Sequence, residues 1–220
     1  KKTISLILKN EFPITDIRYV INSEDLSKNA VKYTTPIQLT KSTKITASLF
    51  RNNKPVGRPF MKTIKFHKAM AKKVTYQTKH VKKYAGSGVV NLVDGLRGSK
   101  NFFDGKWQGW LSKDMEVIID LEKETIINKI TVGAMEDQGP DIYYPTQIKV
   151  FTSLDGKKFT EQIEFNRAYK ANPNTDLAEF ELKLPNKTTT RFIKVFAKVL
   201  PKNPEPNRGV WLFIDEIIVE

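Results

Sequence analysis

Three oxygen-bearing side chains, those of Asp94, Ser99 and Glu216, have the types and spacing that suit a calcium ion. Calcium takes about six to eight oxygen ligands, combining one or two carboxylates with backbone carbonyls from a tight loop. The segment 92–99 contains two glycines, so it can form such a loop, with Asp94 supplying one carboxylate and Glu216 the other. The alternative, equally open from the motif, is that Asp94 starts an ordinary Asp-Gly turn and Glu216 lies on a solvated edge.

The segment 211–219 carries two acids that need a partner, Asp215 and Glu216. On a period-two reading, both faces of this strand are apolar except for Asp215 on one and Glu216 on the other. In a strand covered on both sides, at least one carboxylate would be buried, and a buried charge is costly unless it is paired or bound to a metal.

Aromatic residues in polar loops suit a different chemistry, the binding of sugars. A sugar ring packs its apolar face on an aromatic plane, while its hydroxyl edge needs polar groups. The candidate ligand-binding residues are Trp107, Asp141, Tyr143, Tyr144, Arg208 and Trp211. The alternative is ordinary core or rim packing. At least half of the loop aromatics are expected to be structural, above all Trp110 and Phe213, which lie in or next to strand-like runs.

Recognisable catalytic motifs are missing from the sequence. Neither His67 nor His80 has a paired carboxylate or serine in a familiar setting, and there is no Gly-x-Ser-x-Gly, Walker loop or zinc motif. The absence of cysteine excludes disulfides, Cys-ligated zinc and thiol nucleophiles. A glycosidase-type carboxylate pair stays open because Asp and Glu are plentiful. We therefore expect this chain to be non-catalytic by itself.

The positive charge is concentrated in the first third of the chain. Residues 1–73 hold 16 Lys or Arg against 4 Asp or Glu, a net +12, whereas residues 74–220 hold 21 against 20, a net +1. This break indicates a domain boundary. The lysines of 62–83 could contact nucleic acid, but no aromatic residues interleave with them for stacking, which favours a solvated lysine-rich face.

Short strands separated by turns predict an all-β fold. The first region has strand patterns at 4–8, 17–21, 37–39, 44–50 and 61–66, with turns including 52–59. This predicts a small immunoglobulin- or fibronectin type III-like sandwich. After a lysine-rich link at 69–73, strand patterns recur at 117–121, 126–132, 148–151, 179–184, 191–199 and 211–219. Ser153-Leu154-Asp155-Gly156 predicts a hairpin turn, and the absence of βαβ alternation excludes parallel α/β folds.

The second region resembles a coagulation factor V/VIII type C, or discoidin-like, domain. The matching segments are Leu92-Val93-Asp94-Gly95, Trp107, Val117 to Leu121, Ile127 to Ile130, Pro145 to Val150, Ser153 to Gly156, Arg191 to Val195 and Asp215-Glu216-Ile217. The resemblance covers residues 74–220 and implies an eight-stranded jelly roll of galactose-binding type. It also implies a structural Ca²⁺ held by Asp94, Glu216 and Ser99, and a glycan ligand containing N-acetylhexosamine or galactose.

Residues 1–70 are similar to the small C-terminal domain of chitobiases and β-hexosaminidases. The match runs through Ile17-Arg18-Tyr19, Ser23-Glu24, Tyr33, Pro36-Ile37 and Thr43 to Ala47. The pair in this order resembles the tail of bacterial family 20 glycoside hydrolases, the β-N-acetylhexosaminidases. It implies a spacer plus a glycan-binding or docking module, covalently linked to a catalytic domain before Lys1, in a periplasmic or extracellular enzyme.

Two further observations bear on this expectation. The chain starts without Met, which indicates a fragment or a processed product, and no apolar run approaches the roughly 18 residues of a membrane span. The alternative function is a structural or protein-interaction module without sugar binding, and nucleic-acid binding is the weakest of the three.

Overall fold

The computed structural model describes residues 3–12 and 15–220. It divides into two compact units, Lys1–Phe66 and His67–Glu220. Strands make up 52% of the residues and helix 3%, which confirms the predicted all-β class. The helical turns are two short 3₁₀ segments, Lys82–Tyr84 and Asn91–Val93.

The first unit contains two antiparallel sheets. Its strands are β1 (Ile4–Leu6), β2 (Asp16–Ile21), β3 (Val31–Lys32), β4 (Ile37–Leu39), β5 (Thr43–Arg51) and β6 (Lys54–Ile64). Strands β1 and β4 form one sheet, and the order β3-β2-β5-β6 forms the other. Their apolar interior includes Val20, Ile37, Leu39, Ile45, Phe50 and Ile64. The strand β5 contributes most to this small core, because its residues are buried along nearly its whole length.

The predicted turn at 52–59 is wrong in its extent. The turn consists of Asn52 and Asn53, both at positive φ (49° and 62°), and β6 begins at the next residue. Two prolines, Pro55 and Pro59, made this segment resemble a loop. Within the described residues β6 is an edge strand paired only with β5, and an edge strand tolerates prolines because one row of its backbone groups needs no ladder partner.

The second unit is a jelly-roll sandwich, as predicted. Its strands are β7 (Lys73–Tyr76), β8 (Gln108–Leu111), β9 (Met115–Glu136), β10 (Gln147–Ser153), β11 (Thr160–Asn166), β12 (Asp176–Lys198) and β13 (Trp211–Val219). The strands β9 and β12 pair along most of their length, and both bend, so each contributes to two sets of neighbours. The early part of β9 pairs with β7, and its late part pairs with β13, which pairs in turn with β8.

The bend explains why the sequence pattern predicted two strands, 117–121 and 126–132, where the structure has the single strand β9. Glu122 has a positive φ of 69°, and the register with β12 shifts between Lys183 and Thr188. The buried residues of both layers meet in one core that includes Trp110, Val117, Ile130, Tyr144, Val195 and Leu212. Ala69, in the segment expected to be a link, is fully buried in this same core, so the second unit begins at His67.

The hairpin predicted at Ser153-Leu154-Asp155-Gly156 is confirmed and connects β10 to β11. Gly156 has a φ of 72°, and Asp155 accepts backbone hydrogen bonds from Lys157 and Lys158 at 2.8 and 2.9 Å. These bonds hold the pKa of the Asp155 carboxyl down to about 2.

Candidate functional site

The two carboxylates in the last strand are both completely buried. The register between β13 and β9 shifts between Ile214 and Glu216, which leaves Asp215 as the extra residue of a bulge. A simple alternation would have put Asp215 and Glu216 on opposite faces. In the structure the two carboxylates have different partners. Those of Asp215 lie in the 87–98 segment, and those of Glu216 lie in that segment and at the start of the second unit.

Asp215 is held by an arginine and a glycine amide. Its Oδ2 accepts hydrogen bonds from Arg97 Nε and Gly98 N, both at 2.7 Å, and Arg97 Nη1 also pairs with Glu179. A Cβ at Gly133 would lie 2.1 Å from Asp215 Oδ1, so only glycine fits beneath this ion pair. Burial raises the pKa of Asp215, and the Arg97 guanidinium opposes that rise.

Glu216 is held by a histidine that the sequence gave no reason to select. His67 Nε2 lies 2.8 Å from Glu216 Oε1, and Gly95 N donates to Oε2 at 3.0 Å. Because Val219 N donates to His67 Nδ1 at 3.3 Å, that nitrogen is the acceptor and Nε2 carries the proton of a neutral ring. Burial raises the pKa of Glu216 well above its usual range, and the neighbouring carboxylates of Asp94 and Asp215 raise it further.

Asp94 lies beside Glu216, as the calcium hypothesis requires. Its oxygens accept from Ser87 Oγ at 2.6 Å and Leu96 N at 2.8 Å, and burial raises its pKa. Neither Asp94 nor Glu216 pairs with a lysine or arginine in the described part of the chain. Two adjacent acids without a cationic partner fit a divalent ion.

Ser99 does not join them. Its carbonyl accepts from Trp107 Nε1, its hydroxyl accepts from Asn101 N, and its amide donates to Asp104. Across residues 3–12 and 15–220, no group of three or more His, Asp or Glu side chains is arranged as a metal site. An ion at Asp94 and Glu216 would therefore need backbone carbonyls for most of its ligands.

Three of the predicted ligand-binding aromatics lie in the interior. Trp107 is 1%, Tyr143 3% and Tyr144 9% exposed. A Cβ at Gly98 would lie 2.2 Å from the Trp107 ring, and the Tyr143 hydroxyl donates to Asn203. A buried ring offers no face to a sugar, so these three residues act in packing. The interior positions expected for Trp110 and Phe213 are confirmed.

Asp141, Arg208 and Trp211 are brought together. Arg208 Nη2 lies 2.6 Å from Asp141 Oδ2 and donates to Gly139 O, while Asn203 Nδ2 donates to Asp141 Oδ1 at 2.9 Å. The Asp141 carbonyl accepts from Trp211 N at 2.8 Å. Both Asp141 oxygens are thus engaged, and this carboxylate links its own loop to the 203–208 loop that precedes the partly buried Trp211.

Trp211 belongs to a group of aromatic rings at the surface of the second unit, which we call the aromatic patch: Tyr84, Phe102, Phe103 and Trp211. The Tyr84 ring centroid lies 5.1 Å from that of Trp211 and 6.0 Å from that of Phe103. The Phe102 and Phe103 centroids are 4.3 Å apart. Beneath them, buried Phe213 contacts Tyr84 at 4.8 Å, so the patch rests on the core.

The sequence prediction included Trp211 and missed the other three rings. A signal was present in the adjacent Phe102 and Phe103, which stand between the turn residues Asn101 and Asp104. Asn101 closes this turn by accepting from Phe103 N at 3.0 Å. Two large apolar side chains in a polar turn have no strand to place them inward, and Phe103 is 63% exposed.

One family profile agrees with this architecture. The profile of the F5/8 type C domain matches residues 73–212. No curated protein matches the sequence. Similar solved structures include CpGH89CBM32-6 from Clostridium perfringens, at 21% identity and a TM-score of 0.45, covering 70% of this chain and 98% of that one.

Two other solved structures were determined with bound glycans. CpGH89CBM32-5 from Clostridium perfringens, in complex with GalNAc-β-1,3-galactose, has 20% identity and a TM-score of 0.42, covering 67% of this chain and 93% of that one. The lectin domain of lectinolysin, complexed with Lewis B antigen, has 16% identity and a TM-score of 0.48, covering 70% and 96%.

Proposed function

Because the chain belongs to the F5/8 type C domain family, we propose that its second unit is a non-catalytic module that binds glycans. The observation that carries this proposal is the aromatic patch, in which Phe103 is 63% exposed and its neighbours are partly exposed. Exposed rings that rest on a rigid core present a fixed apolar surface at little entropic cost. That surface suits the apolar face of a pyranose ring.

Polar groups at the edge of the patch suit the hydroxyls of such a ring. Arg208 Nη2 is engaged by Asp141 and Gly139, while its Nε and Nη1 groups have no acceptor among the described residues. The Arg208 side chain is 47% exposed. Its position is fixed by Asp141, whose backbone carbonyl also accepts a hydrogen bond from Trp211 N. One residue therefore positions both the arginine donor and the Trp211 ring.

The histidines favour binding over catalysis. His67 is enclosed beside Glu216, and His80 lies edge-on between Tyr76 and Trp110, with ring centroids at 5.3 and 6.0 Å. Within the described residues, no helix is long and apolar enough to cross a membrane.

We further propose that the chain is an accessory region of an exported glycoside hydrolase, with β-N-acetylhexosaminidase as the parent activity and the first unit as a spacer. The support is the similarity of residues 1–70 to the C-terminal domain of chitobiases. The partner would then be a covalently linked catalytic domain, in the periplasm or outside the cell. Tethering an enzyme to its glycan raises the local substrate concentration.

For the carboxylates, we propose a structural Ca²⁺ at Asp94 and Glu216, without Ser99. The support is a fully buried acid, Glu216, beside the half-buried Asp94, with a neutral His67 ring bonded to Glu216. Such an ion would neutralise charge at the junction between the 87–98 segment and β13. It would stabilise the sandwich and take no part in sugar recognition.

Calorimetric titration of the whole chain tests the binding proposal. Glycans ending in N-acetylhexosamine or galactose are the first ligands to use, and Trp211→Ala is expected to abolish or strongly weaken binding. Since Trp211 contributes to β13, its variant is accompanied by Phe103→Ala, which removes an exposed ring without disturbing the core. Failure of the wild-type chain to bind any glycan would leave a structural or protein-interaction role.

A further inference from the structure

Lys83 is the cation most closely associated with the aromatic patch. Its ammonium lies 5.3 Å from the Tyr84 ring centroid and 5.5 Å from the Phe103 ring centroid. The residue is exposed, and it belongs to the short 3₁₀ segment Lys82–Tyr84, which places Lys82 beside it. A positive charge therefore stands over the surface that the proposed function assigns to a sugar ring.

No acidic side chain neutralises this charge. Among the described residues, neither Lys82 nor Lys83 forms an ion pair. Asp104 follows Phe103 in the sequence, but both its oxygens are engaged by backbone amides, those of Ser99 at 2.6 Å and Lys106 at 2.9 Å. A turn carboxylate held in this way is not free to reach the lysine.

The carboxylate of Asp141, whose carbonyl accepts a hydrogen bond from Trp211 N, is also engaged. Asp141 accepts from Asn203 through one oxygen and pairs with Arg208 through the other. Both acids are thus used to hold the surrounding loops in place. The ammonium of Lys83, which forms no ion pair among the described residues, points to a ligand that brings its own negative charge.

We infer that the ligand of the aromatic patch is an acidic glycan, whose carboxylate or sulfate group pairs with Lys83 while its ring packs on Tyr84, Phe103 and Trp211. The inference rests on the proposed function and narrows its substrate class. An ammonium paired with an anionic group makes a charge-assisted hydrogen bond, roughly twice as strong as a neutral one. The apolar rings lower the local exposure to water and strengthen that pairing.

Matched sugars test the inference on the whole chain. One pair is trigalacturonic acid and its fully methyl-esterified form, which differ in charge on the same backbone. The second pair is a galactan oligosaccharide with and without sulfate, which separates a sulfate from a carboxylate requirement. Short oligosaccharides are used because a chain of net charge +13 attracts long polyanions without specific recognition.

Wild-type protein is expected to bind the acidic member of at least one pair about tenfold more tightly than the neutral member. Lys83→Met keeps the aliphatic stem, removes the charge and is expected to abolish this preference while leaving weak binding of the neutral sugar. The control Lys157→Met removes an exposed lysine from the β10–β11 hairpin and is expected to behave as wild type.

The outcomes separate the two proposals. Equal affinity for both members of each pair, or a preference that survives Lys83→Met, would overturn the acidic-glycan inference and leave glycan binding intact. Absence of binding to acidic and neutral sugars alike would overturn the proposed function and this inference with it. A preference lost equally in Lys157→Met would show non-specific electrostatics and would also overturn the assignment to Lys83.

Discussion

The last strand, β13, joins two regions of opposite character. At its start, Trp211 is partly buried in the aromatic patch, where, among the described residues, Lys83 forms no ion pair and Nε and Nη1 of Arg208 have no acceptor. Four residues further on, Asp215 and Glu216 are fully buried, and each accepts two hydrogen bonds. The same short strand therefore carries one region that is accessible to a ligand and one whose carboxylates are bonded within the protein.

This difference shows how burial decides the role of a reactive-looking residue. A buried carboxylate must be satisfied within the protein, so Arg97, Gly98, Gly95 and His67 converge on the acids and fasten the 87–98 segment and the start of the unit to β13. An exposed ring needs no such partner. Its unused face is available to a ligand only because the residues around it fix its position.

The largest expected effect is the loss of stability when a buried acid loses its charged partner. Arg97→Met leaves Asp215 with an uncompensated charge and is expected to lower the free energy of unfolding by about 3–5 kcal/mol. Urea denaturation monitored by tryptophan fluorescence measures this change.

The double variant Arg97→Met/Asp215→Leu provides the control, because removing both charges is expected to restore much of the lost stability. If Arg97→Met is as stable as the wild type, the Arg97–Asp215 ion pair does not hold the 87–98 segment against β13. Glycan affinity measured below the unfolding transition is expected to change little in either variant.

The second prediction concerns the proposed ion at Asp94 and Glu216. A chelator is expected to lower the thermal midpoint of the second unit, since an ion at about 100 times its Kd stabilises the folded state by about 2.7 kcal/mol. Differential scanning calorimetry with and without calcium measures the shift.

Asp94→Asn keeps the size of the side chain and removes its charge, so this variant is expected to lose sensitivity to the chelator. Ser99→Ala is the matched comparison and is expected to keep it, because the groups of Ser99 are engaged within its own turn. Identical midpoints with and without calcium in the wild type would contradict the site.

The third prediction sharpens the binding side of the comparison. Phe103→Ala removes an exposed ring and is expected to weaken glycan binding roughly tenfold, which corresponds to about 1.4 kcal/mol. Its thermal midpoint is expected to stay within about 2 °C of the wild type because the side chain is 63% exposed.

Leu154→Ala is the matched control, since Leu154 is a similarly exposed apolar residue, at 57%, in the β10–β11 hairpin. It is expected to leave both binding and stability unchanged. Equal losses of affinity in the two variants would show that the aromatic patch has no special part in recognition.

The smallest effect belongs to an exposed carboxylate, Asp155. Its folded-state pKa of about 2 lies below the usual aspartate value of 3.8, so its contribution to stability is present above pH 3.8 and is lost as the pH falls through about 2. Asp155→Asn removes that dependence. Thermal midpoints of the two proteins are expected to differ at neutral pH and to converge in acid, whereas a constant offset would contradict this account.

The fold was largely readable from the sequence, because strand alternation and Asp-Gly turns act over a few residues. The β10–β11 hairpin at Asp155-Gly156 is an example that local chemistry determined. The start of β6 was not readable, since Pro55 and Pro59 break a strand pattern unless the strand lies at a sheet edge. Edge position is a property of the sheet and has no local signature.

The candidate site divides in the same way. The pairing of Asp94 with Glu216 and the interior positions of Trp110 and Phe213 came from residue type and strand pattern. The partnership of His67 with Glu216 joins residues 149 positions apart, so no local pattern indicates it. The rings that accompany Trp211 come from two other segments, Tyr84 from one and the adjacent Phe102 and Phe103 from the other, which meet only in the folded unit.

The resemblance to the F5/8 type C family implied the jelly roll of the second unit. The sequence pattern by itself determined the all-β class, the β10–β11 turn, and the need for partners around two acids in a strand with apolar faces. These follow from backbone preferences and from the cost of burying charge, which depend on residue type and short-range order. Tertiary structure alone decided which acids are enclosed, that Trp107 is buried while Trp211 is only partly so, and that Lys83, without an ion pair among the described residues, lies over aromatic rings. Burial and charge pairing depend on segments that are distant in the sequence and meet in space. The buried carboxylates therefore stabilise the fold, and the aromatic patch that packs on the same unit is the proposed binding surface.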